Sequence, residues 1–197
     1  MTPAIPSSRM ETFLSRGVPP RRIQRIRTLS MRLLGGLLLG ALFLSAGCAT
    51  ERITAETYRD PDNGYEVRLP PATWISRPPE KATLTFGSPD LDAAMALLVD
   101  CRTPEPGELS WVARHLFFGL QEKRIHEQKS IRLHDAVGIQ TWLQARLDGA
   151  LVEVEGVTVR RAGCLYDFIY VAPPAAFPRG RPDFEAFVNS WTPFTRR

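Results

Sequence analysis

Ala136-Val137-Gly138-Ile139-Gln140-Thr141-Trp142-Leu143-Gln144-Ala145-Arg146-Leu147-Asp148-Gly149-Ala150-Leu151-Val152-Glu153-Val154-Glu155-Gly156-Val157-Thr158-Val159-Arg160-Arg161 reads as a β-hairpin. Two segments of alternating character flank Asp148-Gly149, and Asp-Gly is a preferred two-residue turn because both positions accept positive φ. A second reversal at Ala162-Gly163 leads into Cys164 to Ala172, so three antiparallel strands follow one another. Hairpins in place of alternating βα units point to the α+β class, with an antiparallel sheet.

Upstream, Lys123 to His134 is polar and ends near Asp135. Before it, Leu109, Val112, Ala113, Leu116, Phe117 and Leu120 recur at helical spacing, which predicts a helix over Glu108 to Gln121, its opening acid suited to the helix dipole. Ala93 to Cys101 is a continuous apolar run, either a buried central strand or a short helix, which periodicity does not separate. Ala82 to Ser88 alternates through Leu84 and Phe86, Trp74-Ile75 is a short extended piece between proline pairs, and Tyr65, Val67 and Leu69 alternate until Pro70-Pro71 stops the strand. Ala49 to Asn63 is polar and ends in Asp60-Pro61-Asp62-Asn63-Gly64, a tether followed by a turn. Downstream, Pro173 to Pro182 reads as a proline-rich loop. Phe184, Phe187, Val188 and Trp191 then form one face of a short helix over Asp183 to Trp191, stopped before Pro193.

An Asn63-Gly64-Tyr65 turn opening a strand, Leu69-Pro70 and Trp74 soon after, a middle helix, a meander ending on Tyr166, Phe168 and Tyr170, and a terminal Phe184-x-x-Phe187-x-x-Ser190 helix together resemble the Mog1/PsbP-like domain. The resemblance covers most of residues 60 to 192. It implies a single domain over residues 63–197, an antiparallel sheet flanked by helices in an α/β/α sandwich. Family members include extrinsic subunits of photosynthetic complexes and a nuclear-transport factor, so the resemblance speaks for fold more than for function.

The N-terminal part has a different character. Residues 1–30 carry Arg9, Arg16, Arg21, Arg22, Arg25 and Arg27 against Glu11, with prolines and no apolar periodicity. Either translation starts at Met31 or this is a long basic leader, with Arg21-Arg22 loosely similar to a twin-arginine signal. Residues 31–47 join a charged start, a short apolar stretch and a small-residue end, the pattern of a secretory signal. With Cys48 they resemble the bacterial lipoprotein signal: Ala46-Gly47 match its small pair, while Ser45 stands where Leu is usual and Leu44 lies one step further out. The resemblance implies cleavage before Cys48 and lipidation of its thiol, with residues 48–62 as a lipidated tether. The competing reading is an uncleaved membrane helix, since Leu33 to Thr50 is uncharged; its Ser, Ala, Gly, Cys and Thr end shortens the apolar run below a span of about 20 residues. Each acyl chain would contribute about 0.8 kcal/mol per buried CH₂. Ala49 after the cysteine implies, by the enterobacterial sorting pattern, the outer membrane, with the domain facing the periplasm.

The leader also distorts the charge balance. The whole chain is +4, but residues 1–47 hold seven Arg and one Glu, leaving the exported part at −2. A mildly acidic domain has no electrostatic footprint for nucleic acid.

Once Cys48 is lipidated, Cys101 and Cys164 are an even pair in an oxidising compartment. They read as a disulfide if their strands are adjacent, or as two buried thiols, or as a nucleophile beside His115 or His134, for which no local motif speaks. His115, His126 and His134 lack metal-ligand spacing and read as solvated. Glu153 and Glu155 alternate along one strand face and read as a solvent-exposed face. No metal or other cofactor is expected. Trp74 and Phe177 in proline-rich loops, and Trp111 and Trp142 opposite the most apolar faces of their elements, are the candidate partner contacts. The expected function is a non-enzymatic interaction or accessory module, attached to the envelope membrane and meeting a protein partner there. The alternative is a small-molecule or lipid binder with a pocket between helix and sheet.

Overall fold

The computed structural model describes residues 56–78, 82–101 and 107–195; the leader, the signal segment, Cys48 and most of the tether lie outside them. The described chain forms, in order, β1 (Thr57–Asp60), β2 (Tyr65–Arg68), β3 (Ile75–Ser76), β4 (Leu84–Ser88), β5 (Ala93–Asp100), α1 (Leu109–His115), β6 (Gln121–Leu133), β7 (Ala136–Leu147), β8 (Ala150–Arg161), β9 (Cys164–Ala172), α2 (Phe177–Asn189) and β10 (Thr192–Pro193).

The meander forms as its turns dictate. Asp148 and Gly149 both take positive φ, 49° and 85°, so β7 folds back on β8 with Leu147 opposite Ala150. The strands build a seven-stranded sheet in the order β3-β4-β5-β9-β8-β7-β6, antiparallel at every step. The apolar run from Ala93 is a strand, because it pairs with both β4 and β9 and is covered on both faces. A three-stranded sheet, β1-β2-β10, sits apart from it.

One face of the large sheet packs Met95, Phe168 and Tyr170 against Tyr65 and Val67 of the small sheet and against Phe184, Phe187 and Trp191. The other face packs Leu143, Val152, Val154 and Ile169 under Phe117 and Leu120. Full burial of such side chains stabilises by about 1.5–3 kcal/mol each. Gly156 makes the second contact possible: a Cβ there would lie 2.6 Å from the Phe117 ring.

Several expectations change. The folded body begins no later than β1, inside the segment read as tether, because Tyr58 and Asp60 are buried and β1 pairs with β2. The flanking layers are unequal: α2 and the small sheet cover one face, but α1 has only seven residues, so the described residues are mostly β-sheet with two helices rather than an even α/β/α sandwich. The helix expected to Gln121 stops at His115, and Gly119 at φ 95° turns the chain into β6. The polar segment from Lys123 is the 13-residue edge strand β6, held by its ladder to β7. The expected loop before Pro182 is instead the first part of α2, which starts at Phe177 with Pro178 in its first turn and tolerates Pro182.

Candidate functional site

The structure separates the predicted site residues. Cys48 lies outside the described residues. Cys101 and Cys164 are joined by a disulfide, since β5 and β9 pair and bring them opposite each other. Neither thiol is therefore a nucleophile beside His115 or His134.

Among the four aromatic candidates, Trp111 alone is largely exposed, at 51%. Trp74 is buried, and its indole donates to Asp183 Oδ2 at 2.8 Å, which clamps the loop onto α2. Phe177 is buried in the first turn of α2, stacked on Tyr170 with ring centroids 4.9 Å apart. Burial pushes the Tyr170 hydroxyl above the ordinary tyrosine range, so it stays a donor, to the Phe177 carbonyl at 3.0 Å. Trp142 is partly buried, stacked on Phe177 and covered by the Arg181 guanidinium 5.1 Å from its ring centre. Trp74, Phe177 and Trp142 are thus packing residues, because α2 starts earlier than its prolines suggested and lies over them.

Two places remain where side chains are poised for recognition. The first is the outer face of α1 and the turn after it. Trp111 on α1 and Phe118 in the turn after it are 51% and 79% exposed, and Ile125 in β6 is 54% exposed. His115 sits edge-on to Trp111 at 4.1 Å. The segment is fixed from both ends: Arg160 Nη1 donates to the Gly107 carbonyl at 2.9 Å, and Phe117 packs over Gly156.

The second is a cleft of about 270 Å³ between the flank of α2 and strands β6, β7 and β8. Its walls carry Lys129, Arg132, Gln140, Glu155, Arg181, Glu185 and Asn189. Ile131, Leu133, Val157, Phe184 and Val188 supply apolar lining. Glu155, read from sequence as solvent-facing, is 0% exposed, and Glu153 is 7% exposed, because β8 is central and α2 covers its Glu face. Both carboxylates are supplied with partners. Glu153 receives Trp142 Nε1 at 2.7 Å and Gln144 Nε2 at 2.9 Å, with His126 Nε2 at 3.2 Å. That contact and the Trp142 ring, 4.6 Å away, take His126 out of the freely solvated class. Glu155 Oε1 accepts from Gln140 and from Arg181 Nη2 at 3.5 Å, and Oε2 lies 2.7 Å from Arg181 Nε, so the guanidinium reaches both carboxylate oxygens. Arg181 is shared with Glu185, 3.2 Å away. The sequence signals for this cluster were the Arg181/Glu185 spacing of four and two acids inside a valine-rich central strand.

The chain matches no protein-family model and no curated protein sequence. Solved structures do match. Cyanobacterial PsbP (CyanoP) from Synechocystis sp. PCC 6803 superposes with a TM-score of 0.55 at 12% identity, covering 76% of this chain and 99% of that one. The fold is PsbP-like. A protein from Bacteroides thetaiotaomicron VPI-5482 gives a TM-score of 0.53 at 7% identity, covering 71% of this chain and 48% of that one. PA94, a protein of unknown function from Pseudomonas aeruginosa, gives 0.47 at 16% identity over 66% and 92% of the two chains.

Proposed function

We propose that the chain is an envelope lipoprotein, fixed through Cys48 to the outer membrane and facing the periplasm, whose PsbP-like body is a non-enzymatic accessory module. Its partner is an envelope protein met through the outer face of α1. The carrying observation is the pair Trp111 and Phe118, large side chains left in water on a rigidly docked segment. Solvent-facing aromatics beside arginine, here Arg114 in the same segment, are the composition of interaction hot spots. The Cys101–Cys164 bridge supports the compartment, because disulfides persist where export delivers a chain and are rare in the cytosol.

A photo-crosslinking residue at Phe118 of the membrane-anchored chain is expected to give one discrete adduct with an envelope protein. Trp111→Ala in that chain is expected to remove most of it. Adducts no different from those of a probe at Asp148, on the hairpin tip, would overturn the contact surface. Cys48→Ser, or globomycin treatment, is expected to block cleavage before Cys48 and so leave a larger precursor on a denaturing gel; processing that ignores both would overturn the anchor by itself.

A further inference from the structure

We propose that β6 takes up an extended segment of another polypeptide as an added strand, with one apolar side chain of that segment in the cleft beside α2 and acidic residues flanking it. The proposal stands apart from the anchor and from the α1 surface. The edge, the cleft and the charges each argue for it.

The two edges of the large sheet are unlike. β3, at one end of the strand order, has two residues, too few to seat a partner strand. β6, at the other end, has 13 and is paired on one side only among the described residues. Along an edge strand the outward N–H and C=O groups lack ladder partners and form a template for another chain. Bulges blunt such a template, but in β6 the irregular pairing is confined to the first half, between Gln121 and Arg124 and between Ile125 and Glu127. From there the ladder to β7 runs residue for residue, from Glu127 opposite Trp142 to Leu133 opposite Ala136. That regular stretch is longer than a common strand of about 5–6 residues.

The cleft lies where an added strand needs a side-chain pocket. Lys129, Ile131 and Leu133, alternate residues of the regular stretch, line it from β6, and Phe184 and Val188 line it from the flank of α2. Side chains of an added strand stand beside that row at the strand spacing of about 4.8 Å, so one of them can lean over Ile131 into the cleft. The cleft holds 270 Å³, about nine water volumes at roughly 30 Å³ each. That admits one large aliphatic or aromatic side chain and excludes a helix, which is about 10 Å across. Backbone pairing along an edge, with a pocket for alternate side chains, is the general form of recognition by strand addition.

The charges select the partner. β6 carries Lys123, Arg124, Lys129 and Arg132 against Glu122 and Glu127. Both acids are already held within the chain, Glu122 by Arg146 and Glu127 by Lys129. Across the cleft, Arg181 holds Glu155 and Glu185. Arg132, on the β6 side of the cleft, is in no ion pair among the described residues. The open edge is therefore cationic, and carboxylates on either side of the inserted apolar residue complement it.

The test uses the full chain, purified in detergent, and the capped peptide Glu-Val-Glu-Phe-Glu-Val-Glu. Saturable binding is expected by NMR, with shifts in β6 and along the flank of α2 and none at the Trp111 indole. Hydrogen exchange of the outward amides between Glu127 and Leu133 is expected to slow at least about tenfold. N-methylation of one alternating set of peptide amides is expected to weaken binding at least about tenfold and of the other set to leave it unchanged, because only one set faces β6. Alanine in place of phenylalanine, or lysine in place of glutamate, is expected to weaken it as much. The exposed double variant Lys129→Glu/Arg132→Glu, its fold checked by thermal melt, is expected to prefer the lysine peptide. Equal effects of the two N-methylated sets, shifts centred on α1, or no saturation by about 1 mM would overturn the proposal. Self-association of the chain that protects the same amides without peptide would overturn it in favour of a second copy on β6.

Discussion

Asp167 shows how a single side chain can set a pH dependence. It stands in β9 opposite Thr158, whose hydroxyl donates to Oδ1 at 2.6 Å, on the face covered by α1. Burial pushes its carboxyl up to about 6, against the Thr158 hydrogen bond, and the charge of Asp100 adds to the rise. The native state therefore keeps the proton to higher pH than the unfolded chain does. Stability is greatest below the ordinary aspartate range and falls as pH rises towards about 6, then stays lower. Asp167→Asn keeps an acceptor for Thr158 and removes the titration. Urea unfolding is expected to show the variant gaining about 1–2 kcal/mol on wild type between pH 4 and pH 7.5, the full shift being reduced by the residue's partial access to solvent. Parallel pH profiles for the two proteins would remove Asp167 as the cause.

At the scale of elements, α2 is what the proline-rich segment conceals, and Trp74 is its clamp. The indole is buried against Tyr170 at 6.0 Å and donates to Asp183 in the middle of the helix. Trp74→Ala is expected to cost about 3–5 kcal/mol in urea unfolding, far more than loss of an exposed contact residue. Trp111→Ala, on the outer face of α1, is expected to change stability by about 0.5 kcal/mol or less. A small Trp74→Ala effect would mean that the loop does not hold α2. The turns and strands that were legible in the sequence are those whose signal is local: Asp148-Gly149, Ala162-Gly163 and the alternation around them need no distant partner. The edge strand β6 was not legible, because its sequence is polar on both faces and only the ladder to β7 makes it a strand. The start of α2 was hidden for the opposite reason, since Pro178 and Pro182 look like breakers although the first lies where a helix has no hydrogen bond to lose. That misreading hid the cleft too, because Arg181 is placed over Glu155 only once the helix begins at Phe177.

For the whole molecule, the question is what holds two cores on one sheet together. The strand order answers it: β5 leaves for α1 and the meander, and the chain returns to β5 only through β9, so the large sheet closes by a long-range pairing. The Cys101–Cys164 bridge spans that closure, its ends 63 positions apart in sequence, and lies at the margin of a ladder that already sets the cysteines opposite each other. Its effect therefore falls mainly on the unfolded chain, about 4 kcal/mol for a loop of this length in the chain-entropy model. The Cys101→Ser/Cys164→Ser double variant, or reduction of the wild type, is expected to lower the urea midpoint while leaving the near-UV spectrum intact, since Tyr65, Tyr166 and Trp191 pack without help from the sulfurs. An unchanged midpoint would place the fold's stability wholly in the two cores, and a lost spectrum would show that the bridge organises the native packing itself. The expected middle outcome has a consequence for the compartment: the body can fold while reduced and gains its full stability only after reaching an oxidising space, which is where an anchor at Cys48 would hold it.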